Sequence, residues 1–215
     1  MILLIETSHR ICSVAVCDLN GKIIWDKKDQ RVLKHAEALP VLVNEAVQLY
    51  KNIQAVALSK GPGSYTGLRI GASLAQGLCF AKKWPLIGIP THLGMINYAF
   101  QNEGILDCLA LIHAGRDEAY TTYWDGDKMS QIKPQFLTNE YIDTLPKSTT
   151  FIGDCVNILP DCVEQDKRIE VSPEAIHLAS TAAKKWVGKE FEDLAYFTPL
   201  YTKDFIPGVS KKFKV

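Results

Sequence analysis

The chain has 215 residues, 47% hydrophobic and 22% charged, an ordinary globular balance with room for one large domain or two small ones sharing a core. Lys+Arg and Asp+Glu stand at 24 each, so net charge gives no independent grip on nucleic acid, whose phosphates need a clustered basic excess. No apolar run approaches the roughly 20 residues that span a bilayer, and MILLIETSHR lacks the basic start of a signal peptide.

In chain order, ILLIET (residues 2–7) is an apolar run bounded by polar residues and predicts a buried strand. ICSVAVCDL and GKIIWDKK predict two more, with a turn at Ser8–Arg10 before them and Asn20-Gly21 as a two-residue hairpin signal between them. Residues 34–50 read as an amphipathic helix, because Leu39, Leu42, Val43, Ala46, Val47 and Tyr50 recur at helical spacing. Pro40 falls early in it, where proline is tolerated. IQAVALS (53–59) predicts a buried strand, followed by the turn GPGSYTG and a helix over 65–82. PLIGIP is another strand, and the next helix starts with Thr91 as its expected N-cap.

The second half restarts with strands. LDCLALIHAG and EAYTTYWDGD predict a hairpin turning near Gly115, and TTFIGD and RIEVS are shorter strands. SPEAIHLASTAAKKWV predicts a helix with Ser172 as N-cap, Pro173 at its first position and Glu174 in its first turn. Three strands, helix, strand, helix, strand, helix is the order of an actin-like ATPase half. The expected class is therefore α/β, an actin-like (ASKHA, ribonuclease H-like) fold with small subdomains over 1–103 and 104–215, the second a reduced copy. The opening meander disfavours a plain doubly wound sheet.

GPGSYTG has the outline of a phosphate loop, but Gly67 is followed by Leu68 and Arg69, so the Walker lysine and hydroxyl are missing. The turn still offers Ser64, Thr66 and a helix N-terminus that together can hold an anion; the simpler reading is a tight connection capped by Thr66. From Leu68 to Ala81 the polar side chains are only Arg69, Ser73 and Gln76, one narrow stripe. A helix on an open sheet needs a single apolar stripe, so this one requires cover on two sides, from another helix of the chain or from a partner. His35 and Glu37 suggest a metal helix, but HxxxH would need a second histidine where Leu39 stands. No GxSxG elbow occurs, and His9, His92, His113 and His177 fall in separate elements. Glu6, ending the first strand, is the best lone carboxylate, expected to face the cleft with Thr7 and Ser8 as a first phosphate turn. The six cysteines form no CxxC pair and read as reduced, packed hydrophobes, and KKFKV reads as a solvated basic tail.

ILLIETS, KHAEALPVLVNEAV and SKGPGSYTGLRIGASLAQGL closely resemble the bacterial TsaB (YeaZ) family, with HAGRDEAYTTYW and PLYTKDF as looser second-half signatures. The resemblance implies a non-catalytic, actin-like paralogue of the transferase TsaD. It implies a supporting role in forming N6-threonylcarbamoyladenosine (t6A) in tRNA, at the adenosine 3′ of the anticodon, in tRNAs reading codons that begin with A. A separate synthase makes threonylcarbamoyl-adenylate, TsaD transfers the group, and the small ATPase TsaE helps turnover. Implied partners are TsaD in a heterodimer, TsaE, a second copy when the chain is alone, and tRNA only through the complex, in the cytoplasm and away from membranes. The chain departs from the family pattern at His113, where Asp is common, and at Tyr201, Thr202 and Lys203, where YLR is common.

On this reading the helices from His35 to Tyr50 and from Thr66 to Ala81 form the partner surface. The expected contacts are His35, Leu39, Leu42, Val43, Ala46, Gly71, Leu74, Ala75 and Leu78. A large charged residue at Gly71 or Ala75 should then abolish pairing and leave the monomer folded. No catalytic or metal residue and no required cofactor is expected. Glu6, Thr7, Ser8, Gly61, Gly63 and Ser64 would form a vestigial nucleotide or anion site with weak ATP or ADP binding. The alternative is an autonomous small-molecule kinase or ATPase of actin-like fold.

Overall fold

The protein's structure, a computed structural model, describes residues 1–29, 31, 34–115 and 117–203; the KKFKV tail lies outside them. Strands β1 (Ile2–Glu6), β2 (Cys12–Cys17) and β3 (Ile23–Asp29) form an antiparallel meander. β4 (Ala55–Gly61) and β5 (Leu86–Pro90) extend it in parallel, giving the order β3-β2-β1-β4-β5. Alternate residues of β1 serve two cores. Leu3 and Ile5 pack under α1 (His35–Leu49) and α2 (Tyr65–Lys82), while Ile2 and Leu4 pack on the opposite face. That double cover is why ILLIE is continuously apolar rather than alternating.

The second sheet holds β6 (Cys108–Gly115), β7 (Glu118–Trp124), β8 (Lys133–Phe136), β9 (Thr150–Gly153) and β10 (Arg168–Glu170), in the order β10-β9-β6-β7-β8. Counted within its own half, this is the first sheet's order again, with an antiparallel meander and two parallel additions. The two sheets thus share one strand order. Helix α3 (Thr91–Glu103) lies between the sheets, touching β4, β5, β6 and β9, and α4 (Asn139–Asp143) is a short turn in the second half. The strand at Lys133–Phe136 carries Pro134 and sits at a sheet edge, where the missing N–H is tolerated.

Several local expectations change. The β2–β3 connection runs from Asp18 to Lys22, not over two residues, because the Asp18 carboxylate accepts from the backbone N–H of Asn20 and of Lys22, both at 2.9 Å. Ser64, not Thr66, caps α2, its hydroxyl accepting from Gly67 N at 3.3 Å. Thr91 is the first residue of α3 rather than its cap, and its hydroxyl lies 2.7 Å from that of Ser59 in the core. The helix expected from Ser172 starts later, as a 3-10 turn over Ala175–Leu178 capped by Glu174, and continues as α5 (Ala179–Val187). That turn and α5 pack on Ile2, Leu4 and Ile87 of the first sheet. A division after residue 103 therefore does not hold at the C-terminal end: the chain returns from the second sheet to the first.

Candidate functional site

Two places invite function: the cleft between the sheets and the outer side of α1 and α2. The cleft has a volume of about 570 Å³ and is lined by Ser8, His9, Arg10, Gly63 and Ser64 from the first half. Ile112, His113, Tyr120, Asp154, Asn157 and Glu170 are among its walls from the second half. His9 Nε2 meets Asp154 Oδ2 at 2.9 Å, and the other oxygen of Asp154 accepts from His113 N at 2.8 Å. This link ties the β1–β2 loop to the second sheet. It was invisible in the sequence, since nothing local pairs His9 with a distant aspartate.

Of the six residues expected to hold a nucleotide or anion, only Ser8, Gly63 and Ser64 line the cleft. Glu6 is buried, with Ser8 N donating to its carboxylate at 2.5 Å. Loss of water raises its pKa, so the carboxylate expected to face the cleft is instead a core carboxyl. Thr7 is buried as well, and Gly61 packs against Leu68 and the Leu200 carbonyl.

The turn is filled by its own chain. Ser64 N donates to Ser8 O at 2.7 Å, and Ser64 Oγ is spent on the α2 cap. A Cβ on Gly63 would overlap the Ser8 carbonyl, one on Gly67 the Thr7 carbonyl, and one on Gly71 the Thr7 hydroxyl. These glycines permit one loop to press on another. A phosphate loop keeps its amides free for oxygen ligands; here Ser64 N and Gly67 N are taken up by the chain's own oxygens.

The helical face also differs from expectation. His35, Leu39, Leu42, Val43, Ala46, Gly71 and Ala75 are all buried in the chain's own core, so these seven cannot present contacts to a partner without unpacking it. His35 opens α1 beneath the β1–β2 loop, where desolvation lowers its pKa and favours the neutral ring. Leu74 and Leu78 are half-buried against the same core. The cover that α2 required comes mostly from within: the sheet, α1, and residues 192–203, here termed the strap. Gln76 donates to the carbonyls of Leu194 and Phe197 at 3.1 and 3.3 Å, so it is no solvent-facing residue.

What remains open on α2 is Tyr65, Thr66, Arg69, Ser73, Gly77, Phe80, Ala81 and Lys82, with Phe80 81% exposed. A Cβ on Gly77 would meet nothing within 4 Å. On α1 the open residues include Val41 and Leu49. Both helices thus leave large apolar side chains exposed, the kind of group a partner would cover. Among the described residues, no group of three or more His, Cys, Asp or Glu is placed to hold a metal ion, and no helix is long and apolar enough to cross a membrane.

Comparison with known proteins bears on this geometry. Residues 31–196 match the TsaD family profile, tRNA N6-adenosine threonylcarbamoyltransferase. The tRNA threonylcarbamoyladenosine biosynthesis protein TsaB of Buchnera aphidicola subsp. Schizaphis graminum is 30% identical over 167 residues, 72% of this chain and 78% of its own length. The TsaB of Escherichia coli strain K12 is 28% identical over 173 residues, 74% of each chain. A crystal structure from Pseudomonas aeruginosa, described as similar to peptidase YeaZ, superposes with a TM-score of 0.77 at 23% identity, covering 94% of this chain and 99% of that one.

Proposed function

We propose a function from one premise: the chain belongs to the TsaB (YeaZ) family of actin-like tRNA threonylcarbamoyladenosine biosynthesis proteins. Its role lies in t6A formation, in a complex with a TsaD-type protein. Within that role it is the supporting subunit, and the transferase it binds does the chemistry at the adenosine 3′ of the anticodon, in tRNAs reading codons that begin with A. A TsaE-type ATPase joins the assembly, and the chain pairs with itself when alone. Contact with tRNA comes through the complex, in the cytoplasm.

The observation that carries this reading is the filled turn. Thr7 and Ser8 pack directly against Gly63, Gly67 and Gly71, the glycines that a phosphate loop would hold against its ligand. A loop without its lysine, with Ser64 N bonded to Ser8 O and the Ser64 hydroxyl committed to the helix cap, has little with which to hold ATP or ADP, so binding is weak and no cofactor is required. The surface left to act is the exposed side of α1 and α2.

The decisive test is co-expression with the cognate TsaD-type protein, with mass spectrometry of tRNA nucleosides with and without this chain. t6A should require both. Full t6A without this chain would overturn the reading. Titration with Mg-ATP and a phosphate-release assay test the autonomous kinase: micromolar affinity with turnover would favour it instead.

A further inference from the structure

We propose that the partner surface extends from α2 onto the C-terminal strap and is keyed by Arg69, whose guanidinium takes a carboxylate from an acidic, apolar-flanked segment of the transferase. This rests on the supporting-subunit reading above, and the experiment below separates the two.

Three residues form the key. The Arg69 guanidinium lies 4.2 Å from the centroid of the Tyr65 ring. Its Nε donates to the Tyr201 hydroxyl at 3.4 Å, and the rings of Tyr65 and Tyr201 lie 5.1 Å apart at 44°. Tyr65 and Tyr201 are 36% and 41% exposed. No carboxylate pairs with Arg69 among the described residues. Among the described residues the cation is thus held on two sides by aromatic groups and meets no carboxylate on the third. Held this way, it loses little rotamer freedom on forming a bidentate pair. Tyrosine and arginine are also the residue types that dominate binding energy at protein interfaces.

The strap that carries Tyr201 is fastened on both sides of it. Upstream, Phe197 is buried in the core, Leu200 N donates to Lys60 O at 2.6 Å, and Lys60 pairs with Glu192 at 2.8 Å. Downstream, Lys203 Nζ reaches the second sheet, donating to Ala114 O at 3.2 Å and pairing with Glu118. Tyr201 is therefore placed before any partner arrives.

Continuity and charge identify the occupant. Arg69, Ser73, Gly77 and Phe80 recur at helical spacing on the open side, so the key and Phe80 share one stripe about 16 Å long. Small Ser73 and Gly77 between them admit the close approach of an apolar helix. α2 contains no Asp or Glu, its only charges being Arg69 and Lys82. A stripe of this sign is complementary to an acidic side chain set among apolar ones, and it repels a basic surface.

The test measures affinity of the full chain for the cognate transferase by isothermal titration calorimetry. Variants are Arg69→Ala, Arg69→Lys, Tyr201→Ala and Phe80→Glu, each checked for an unchanged melting temperature. Phe80→Glu reports on the helical face alone. Arg69→Ala should weaken binding on the order of 10-fold or more, with Tyr201→Ala close behind, as interface anchors do. Arg69→Lys should recover only part, since an ammonium lacks the planar fork. Raising salt should weaken the wild type more than Arg69→Ala. If Arg69→Ala and Tyr201→Ala bind within about 2-fold of wild type while Phe80→Glu fails, the inference falls and the helical-face reading stands. If Phe80→Glu also binds normally, the helical face itself is refuted.

Discussion

Gly71 and Gly77 sit six residues apart on one helix and should respond in opposite directions. At Gly71 an added methyl would overlap Thr7 Oγ1 and press on Leu58 at 3.2 Å, and both neighbours are fully buried. Overpacking of this kind costs roughly 1–3 kcal/mol, and a helix-propensity gain of up to about 1 kcal/mol offsets only part of it. For a chain of this length each kcal/mol moves the midpoint by about 2–4 °C, so Gly71→Ala should melt several degrees below wild type. At Gly77 the methyl meets nothing within 4 Å. Only the propensity term acts, and Gly77→Ala should melt about 1–4 °C above wild type. Pairing divides the same way. Gly77→Trp should leave the monomer folded and block association with the transferase, because it fills the open stripe. A large charged residue at Gly71 or at fully buried Ala75 should unfold the chain rather than merely unpair it, reversing the sequence-based expectation. Differential scanning calorimetry and light scattering read both effects. A neutral Gly71→Ala, or a Gly77→Trp that binds normally, would refute the assignment of inner and outer faces.

Other outcomes follow from buried side chains. His92 and His177 are both held at a pKa of about 4 by desolvation, below the ordinary 6.5. His92 Nε2 lies 2.8 Å from Tyr120 O, and His177 Nδ1 accepts from Glu174 N at 3.3 Å, so both rings are neutral when folded. The unfolded chain protonates first, so stability present above pH 6.5 is lost as pH falls towards 4, by about 3 kcal/mol for each ring. Glu6, with its raised pKa, works the other way. Acid melting curves should therefore flatten in His177→Phe and steepen in Glu6→Gln. Arg168 spreads its guanidinium over the carbonyls of Val156, Leu159, Pro160 and Val163 at 2.8 to 3.4 Å. Arg168→Lys cannot make this fan and should cost about 2–3 kcal/mol, read by denaturant titration. Cys162 alone is exposed, while Cys12, Cys17, Cys79 and Cys108 have thiols pushed up to about 12 by burial. One thiol should react with Ellman's reagent in the native state and six after unfolding.

The first sheet was legible because four of its strands are short apolar runs closed by polar or turn residues, and the mostly charged β3 follows a turn signal at Asn20-Gly21. The second was less so. Lys133–Phe136 has four residues, a proline and no buried face, so its pairing with β7 leaves no periodic trace. Inner and outer faces of α2 were not separable either. Gly71 and Gly77 look alike in sequence, and only the position of Thr7 distinguishes them. The strap was the largest omission. Its anchors, Gln76 to Leu194 and Leu200 to Lys60, join residues far apart in the chain, through side-chain and backbone groups with no repeating pattern.

A glycine-rich turn records that something approaches the backbone closely; it does not record what. In a nucleotide-binding loop the visitor is a phosphate. In this chain it is the Thr7–Ser8 segment, which meets Gly63, Gly67 and Gly71 in succession. The same contact fixes α2 rigidly against the end of β1, since each glycine is a point where the helix cannot slide without collision. An interface helix benefits from that rigidity, because less freedom remains to be lost when a partner binds. On the proposed reading, weak nucleotide binding and a firm docking surface are two results of one packing arrangement. Its consequence is specific: a substitution that loosens the turn, such as Thr7→Gly, should weaken association with the transferase without touching any exposed residue. Hydrogen exchange across α2 should rise in that variant, and unchanged exchange with unchanged affinity would show that the turn and the face are independent.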